Sequence, residues 1–298
     1  TLDRSSAASD VYKRQIIDFI IKKRNKYTMK IKKMMVGLII CLLVIPLVAC
    51  GKAEKVNHQD SIKKAGKLVV AVSPDYAPFE FKALVNGKDT IVGADIQLAQ
   101  AIADELGVKL ELSSMSFDNV LSSLQTGKAD MAISGLSYTK ERAKVYDFST
   151  PYYETENAVL MRATDAKTVK DITSLAGKKV AAQKGSIEEG LVKTQLPEAN
   201  LISLTAMGEA INELKSGHVY AVDLEGPVAA GFLAQHKDLA LAPFSLKTSD
   251  GDAKAVALPK NSGDLTKTVN KVIAKLAKDN QYKAFIREAA ALTGNIVE

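Results

Sequence analysis

Residues 93–127, GADIQLAQAIADELGVKLELSSMSFDNVLSSLQTG, carry two helix signals separated by a strand signal. Over residues 95–106 the apolar side chains Ile96, Ala99, Ile102, Ala103 and Leu106 share one face at helical spacing, and Gly107 supplies a C-terminal stop. Residues 109–112 read as a strand. Residues 117–126 read as a helix that turns Val120, Leu121 and Leu124 inward and ends at Gly127. Upstream, residues 67–72 hold the run LVVAV, a fully buried strand. The alternation predicts an α/β chain with a parallel, doubly wound sheet.

A second cycle follows. Strands are expected at 158–161, 179–182, 201–204 and 220–223, with helices at 188–194, 207–216 and 228–235 between or after them. A late strand at 255–258 precedes terminal helices at 265–279 and 281–290. Two β/α units of this size predict two lobes rather than one sheet. Ligands of such sheets bind outside the carboxyl ends of the strands.

Residues 126–153, TGKADMAISGLSYTKERAKVYDFSTPYY, place a candidate ligand group at such an end. The apolar run 129–136 reads as a strand, closed by Gly135 and Ser137, and Thr139 is a good N-cap with Arg142 three positions on. An arginine in a first helical turn opposes the helix dipole. It suits a bound carboxylate, which a guanidinium fork receives in bidentate fashion.

The elements GADIQLAQAIA, FDNVLSSLQTGKAD, SGLSYTKER and DFSTPYY closely resemble the extracytoplasmic amino-acid-binding proteins of ABC importers, the polar amino-acid family of solute-binding proteins. The resemblance runs from about residue 61 to the C-terminus. It implies two α/β lobes of the type II periplasmic-binding-protein kind, 61–155 plus 254–298 and 156–253, crossing near 153–157 and 248–254. It also implies hinge closure over a zwitterion and delivery to permease subunits, with no catalysis, no cofactor and no metal.

An amino acid in a dry cleft needs a cation, an anion and neutral hydrogen-bond groups close together. Arg142 is the candidate for the carboxylate. Ser186 and Ile187, at a helix start where Ser186 and Glu189 make a capping-box pattern, are candidates for the same group from the other lobe. The resemblance places Glu225 on the ammonium, where many relatives have Asp, with Asp223 as the competing choice, and Gly135 and Ser137 completing the shell. It places Tyr76 and Phe117 against the ligand side chain, while Phe79 reads as core. Ser73 stands where relatives selective for cationic side chains resemble an Asp, which weakens such a specificity. Asp75, Glu80 and Asp118 read as solvated acids, with side-chain contact as the alternative.

Composition bounds the partners. Of 40 Lys and Arg, ten lie in residues 1–49 beside three of the 34 Asp and Glu, so the rest of the chain carries 30 basic against 31 acidic residues. The formal charge of +6 belongs to the leader and does not point to nucleic acid. From Met29, MKIKKMMVGLIICLLVIPLVAC has a lysine-rich start, an apolar stretch and a small residue before Cys50, the organisation of a signal peptide over 29–49. The ending LVAC resembles a bacterial lipobox, implying that Cys50 is acylated and that 50–60 is a tether outside the cytoplasm. Residues 1–28 read as an upstream or artefactual leader. Cys41 lies in the signal, so no disulfide is expected, and a monomer is the expected state. An enzyme on the same scaffold, dehydratase-like, is the alternative; His58, His218 and His236 all read as solvated and show no metal spacing. A ligand-sensing accessory to a membrane receptor is the second, and would need an output segment beyond Leu292.

Overall fold

The computed structural model describes residues 57–248 and 252–296, all within one compact unit, Asn57–Glu298. The leader, the signal segment and Cys50 lie outside the described residues. His58–Ala65 (α1) is capped by Asn57, whose side chain accepts from the Asp60 amide at 3.2 Å. Lys67–Val72 (β1) follows, then Asp75–Tyr76 (β2), Glu80–Val85 (β3) and Lys88–Val92 (β4), which form a small antiparallel sheet. Ala94–Leu106 (α2), Lys109–Ser114 (β5) and Phe117–Gln125 (α3) stand where the amphipathic spacing puts them.

The expected strand over 129–136 shortens to Met131–Ala132 (β6). Gly135 takes φ +52°, which turns the chain out of the sheet and along the floor of a cleft. Lys140–Ala143 (α4), Asp147–Phe148 (β7) and Tyr153–Thr155 (β8) close the first pass. Asn157–Arg162 (β9), Ala163–Ala166 (α5), Lys179–Gln183 (β10), Ile187–Gln195 (α6), Asn200–Leu204 (β11), Met207–Ser216 (α7), Ala221–Glu225 (β12), Gly226–Gln235 (α8) and Leu239–Leu241 (β13) build the second lobe. The chain returns through Asp252–Lys254 (β14) and Ala257–Leu258 (β15) to Gly263–Lys278 (α9) and Gln281–Leu292 (α10).

The sheets run β5-β1-β6-β15-β7 and β11-β10-β12-β9-β13. Each is mixed rather than wholly parallel. β15 is antiparallel to β6 and β7, and β9 is antiparallel to β12 and β13. The odd strand in each lobe is the one that has just arrived from the other, so it enters from the hinge side against the direction of its neighbours. β8 and β14 pair side by side as the two crossings, with Lys254 opposite Tyr153.

Both sheets are buried on both faces, as doubly wound sheets must be. In β1, Leu68, Val70 and Val72 face a core shared with α2, α9 and α10, while Ala71 faces the α3 side. In β9, Ala158 and Leu160 pack toward α7 and α8, and Val159 and Met161 toward α6. Each fully buried Val, Leu or Ile contributes roughly 1.5–3 kcal/mol relative to exposure. Among the described residues no helix is long and apolar enough to cross a membrane.

Candidate ligand-binding cleft

Thr139 caps α4, its hydroxyl accepting from the Arg142 amide at 3.1 Å. That turn aims the guanidinium into the gap between the lobes. Arg142 Nη1 donates to the Ser137 carbonyl at 2.7 Å in its own lobe, and Nη2 donates to the Gly185 carbonyl at 3.1 Å in the other. The lobes also meet where Lys184 Nζ reaches Asp118 Oδ2 at 2.9 Å, so Asp118 is an ion-paired residue rather than a solvated one. A hydrogen bond from Ser116, and then the Lys184 contact, hold the Asp118 carboxyl below its ordinary range.

Opposite Arg142, β10 ends at Gln183 and α6 begins at Ile187. Ser186 Oγ accepts from the Glu189 amide at 3.1 Å, and Glu189 Oε2 returns to the Gly185 amide at 2.9 Å, a capping box displaced by one residue. The Ser186 amide donates to the Gln183 carbonyl at 3.2 Å. Ile187 opens the helix, where amides have no acceptor inside the helix.

Tyr76, Phe117, Gly135, Ser137, Arg142, Ser186, Ile187 and Glu225 all line one cleft. Gln183 and Glu188 line it too, and neither is marked by any local sequence signal beyond its place at a strand end or helix start. Tyr76 is buried, stacks with Phe79 at a ring-centroid distance of 6.0 Å, and accepts from the Glu225 amide at 3.3 Å. Phe79 is core, as expected.

Glu225 and Asp223 are both buried at the end of β12, not loop residues in water. Asp223 does not line the cleft; it accepts from Asn157 Nδ2 at 3.3 Å within the sheet. Glu225 is ion-paired with Lys254, a fully buried lysine of β14 whose Nζ also donates to Ser137 Oγ at 2.6 Å. Lys254 thus ties a crossing strand to one cleft residue of each lobe. No local pattern marks it, since its partners are brought to it by the fold alone.

Beneath the floor lies a second layer of acids. Asp95, at the start of α2, accepts from the Gly135 amide at 2.7 Å, Tyr152 Oη at 3.0 Å and Tyr282 Oη at 2.5 Å. Burial raises its carboxyl, and the hydrogen bonds from Tyr282, Gly135 and Tyr152 oppose the rise. Glu80 is fully buried, with Oε1 accepting from Ser134 Oγ at 2.7 Å. Desolvation, then the nearby Asp95 charge, push its carboxyl well above the ordinary range. The reading of Glu80 as solvated is therefore wrong. The same holds for Asp75, half-buried between the lobes, because both sit where β2 and β3 fold under the cleft. Among the described residues no group of three His, Cys, Asp or Glu is arranged to hold a metal ion.

The model of the bacterial extracellular solute-binding proteins, family 3, matches residues 68–289. The chain belongs to this family. The arginine-binding extracellular protein ArtP of Bacillus subtilis (strain 168) is 32% identical over 254 residues, covering 85% of this chain and 95% of ArtP. A probable histidine-binding protein of Campylobacter jejuni is 29% identical over 260 residues, covering 86% and 98%. Among solved structures, an amino acid ABC transporter substrate-binding protein from Streptococcus pneumoniae Canada MDR_19A, bound to L-arginine, matches with a TM-score of 0.78 and 57% identity over 79% of this chain and 98% of that one. The family 3 fold of two sheet-containing lobes is the one described above, and the chain is a binding protein rather than an enzyme.

Proposed function

We propose that this protein captures an extracellular amino acid with a cationic side chain, L-arginine foremost, and delivers it to the permease subunits of an ABC importer. One observation carries the reading: Arg142 stands in an interlobe cleft facing the buried acids Glu188 and Glu225. A zwitterion needs opposite charges at its two ends. Of the charged residues that line the cleft, Arg142 stands against Glu188 and Glu225, so the lining holds one more carboxylate than cations. That surplus suits a ligand with one more cation than anion, and it does so without the acid that Ser73 lacks. ArtP and the pneumococcal structure support the same choice, being arginine-binding and arginine-bound in turn.

In this reading Arg142, with Ser186 and the Ile187 amide, holds the carboxylate. Gly135, Ser137 and Glu225, the last held in place by Lys254, meet the ammonium, and Tyr76 and Phe117 wall the side chain. Charged hydrogen bonds of this kind contribute roughly 1.5–3 kcal/mol each. Contacts from both lobes favour the closed arrangement by no more than their differential affinity for it. The protein acts as a monomer on the outer face of the membrane, anchored by lipid at Cys50.

Calorimetric titration with L-arginine, L-lysine, L-histidine and L-glutamine tests the ligand class. Arginine is expected to bind tightest in wild type and not at all in Arg142→Ala, with unchanged circular dichroism; unchanged affinity in that variant would reject the site. Cys50→Ser is expected to move the protein from the membrane to the soluble fraction, and persistence of the membrane-bound form would argue for an uncleaved anchor.

A further inference from the structure

α7 begins at Met207 after Ala206, whose methyl group caps nothing. The amides of a first helical turn have no acceptor within the helix, and a polar cap stabilises such a turn where Ala does not. The cap comes from the other lobe. Asp75, in β2, accepts from the Met207 amide at 2.8 Å. A carboxylate there also complements the positive end of the helix dipole.

The same carboxylate reaches a cleft residue. Gln183 Nε2 donates to Asp75 Oδ2 at 3.2 Å and lies 3.4 Å from Oδ1. A carboxylate can only accept, so the amide must turn its NH2 toward Asp75 and its carbonyl oxygen away. Gln183 lines the cleft beside Glu188, and no donor among the described residues takes that oxygen. Within its own lobe the Asp75 carboxylate also accepts from the Ser73 hydroxyl at 3.0 Å. Burial raises the Asp75 carboxyl, with the Met207 bond the largest force opposing the rise.

We infer that Asp75 is a positioning residue for ligand capture: it draws the lobes together by capping α7 across the gap, and it orients Gln183 so that a carbonyl acceptor faces a cationic ligand side chain. The inference rests on the reading of the cleft as a cationic amino-acid site. Opening the lobes breaks the Met207 and Gln183 bonds together, so Asp75 slows ligand escape without touching the ligand. Replacement by Ala removes both functions. Replacement by Asn keeps a capping oxygen, since Asn caps as well as Asp, but its amide can donate and so no longer dictates which way Gln183 faces.

The test is titration of the full-length protein with L-arginine, together with the arginine dissociation rate by stopped flow. Asp75→Ala is expected to weaken binding about tenfold, mostly through faster dissociation, a loss of one cap and one oriented acceptor. Asp75→Asn is expected to lie between, about threefold weaker than wild type. A residue that merely supports the fold would lower the melting temperature of the arginine-free protein and leave both binding measurements alone. Arginine binding by Asp75→Ala within twofold of wild type overturns the inference while the cleft reading stands. Should Asp75→Ala not fold, Asp75→Asn decides, and affinity equal to wild type overturns it. Failure of the wild-type protein to bind any amino acid overturns the cleft reading itself.

Discussion

Glu80 shows what a single buried acid does to a protein of this kind. Its Oε1 takes the Ser134 hydroxyl, but among the described residues no cation stands beside it, and the neighbouring Asp95 carries the same charge. The folded state therefore favours the protonated form. A carboxyl raised on folding gives stability that is present below its unfolded pKa and is lost as pH climbs through the folded one. From about pH 4.5, the ordinary glutamate value, wild type should lose stability relative to Glu80→Gln by up to about 1.4 kcal/mol per pH unit until the folded pKa is passed. The amide keeps the acceptor for Ser134, and titrating groups that do not interact with Glu80 cancel in the comparison. Thermal melts at pH 4.5 and pH 8 check this: the variant's advantage should widen at the higher pH, and a constant gap would mean that Glu80 folds in charged form.

Between residues and lobes, the elements decide how closely the two halves approach. The turn from β10 to α6 has Gly185 at φ +80°, and a Cβ built there would lie 3.1 Å from Asp118 Cα in the other lobe. Gly185→Ala meets both a left-handed backbone, which costs about 1–2 kcal/mol, and backbone across the gap that cannot swing aside. It should weaken arginine binding about tenfold through the clash with Asp118, which opening relieves, while the left-handed strain persists in both arrangements and lowers the arginine-free melting temperature by a few degrees; equal affinity by calorimetry would show that the lobes need not come so near. Helix starts of this sort were largely legible in the sequence. Thr139 and Ser186 announce their caps because capping is decided within four residues. The convergence of Tyr76, Arg142 and Glu225 followed from family resemblance and not from spacing. Asp75, Glu80 and Lys254 were not legible. Asp75 meets Met207 132 residues away, Glu80 meets Ser134 across 54, and Lys254 meets Glu225 across 29, so their burial depends on how strands are ordered in space. The single antiparallel strand in each sheet escaped for the same reason, since βα alternation says nothing of the direction from which a crossing strand enters.

At the scale of the whole molecule, the two lobes have largely separate cores, one around β1 and α2 and the other on both faces of β9 and β12. What joins them is the paired crossing β8 and β14, the Lys254 ion pair, the cleft contacts and the packing of Tyr76 and Phe79 against the second core. Such a link is thin beside the cores themselves, so the lobes are expected to couple only weakly when no amino acid bridges them. A ligand touching both changes this. At one hundred times its Kd it adds about 2.7 kcal/mol to the arrangement that binds it, and that energy is lost if either lobe unfolds. Scanning calorimetry should therefore give a broad endotherm, with a van't Hoff enthalpy below the calorimetric one, for the protein alone. Saturating L-arginine should sharpen it toward a single transition and move it up by about 5–10 °C. Arg142→Ala should keep the broad profile at every arginine concentration, because the cation that spans the gap to the Gly185 carbonyl is gone. If wild type already melts as one sharp transition without arginine, the hinge strands and the Lys254 clamp couple the lobes by themselves, and closure must then be driven by something smaller than the joining of two independent units.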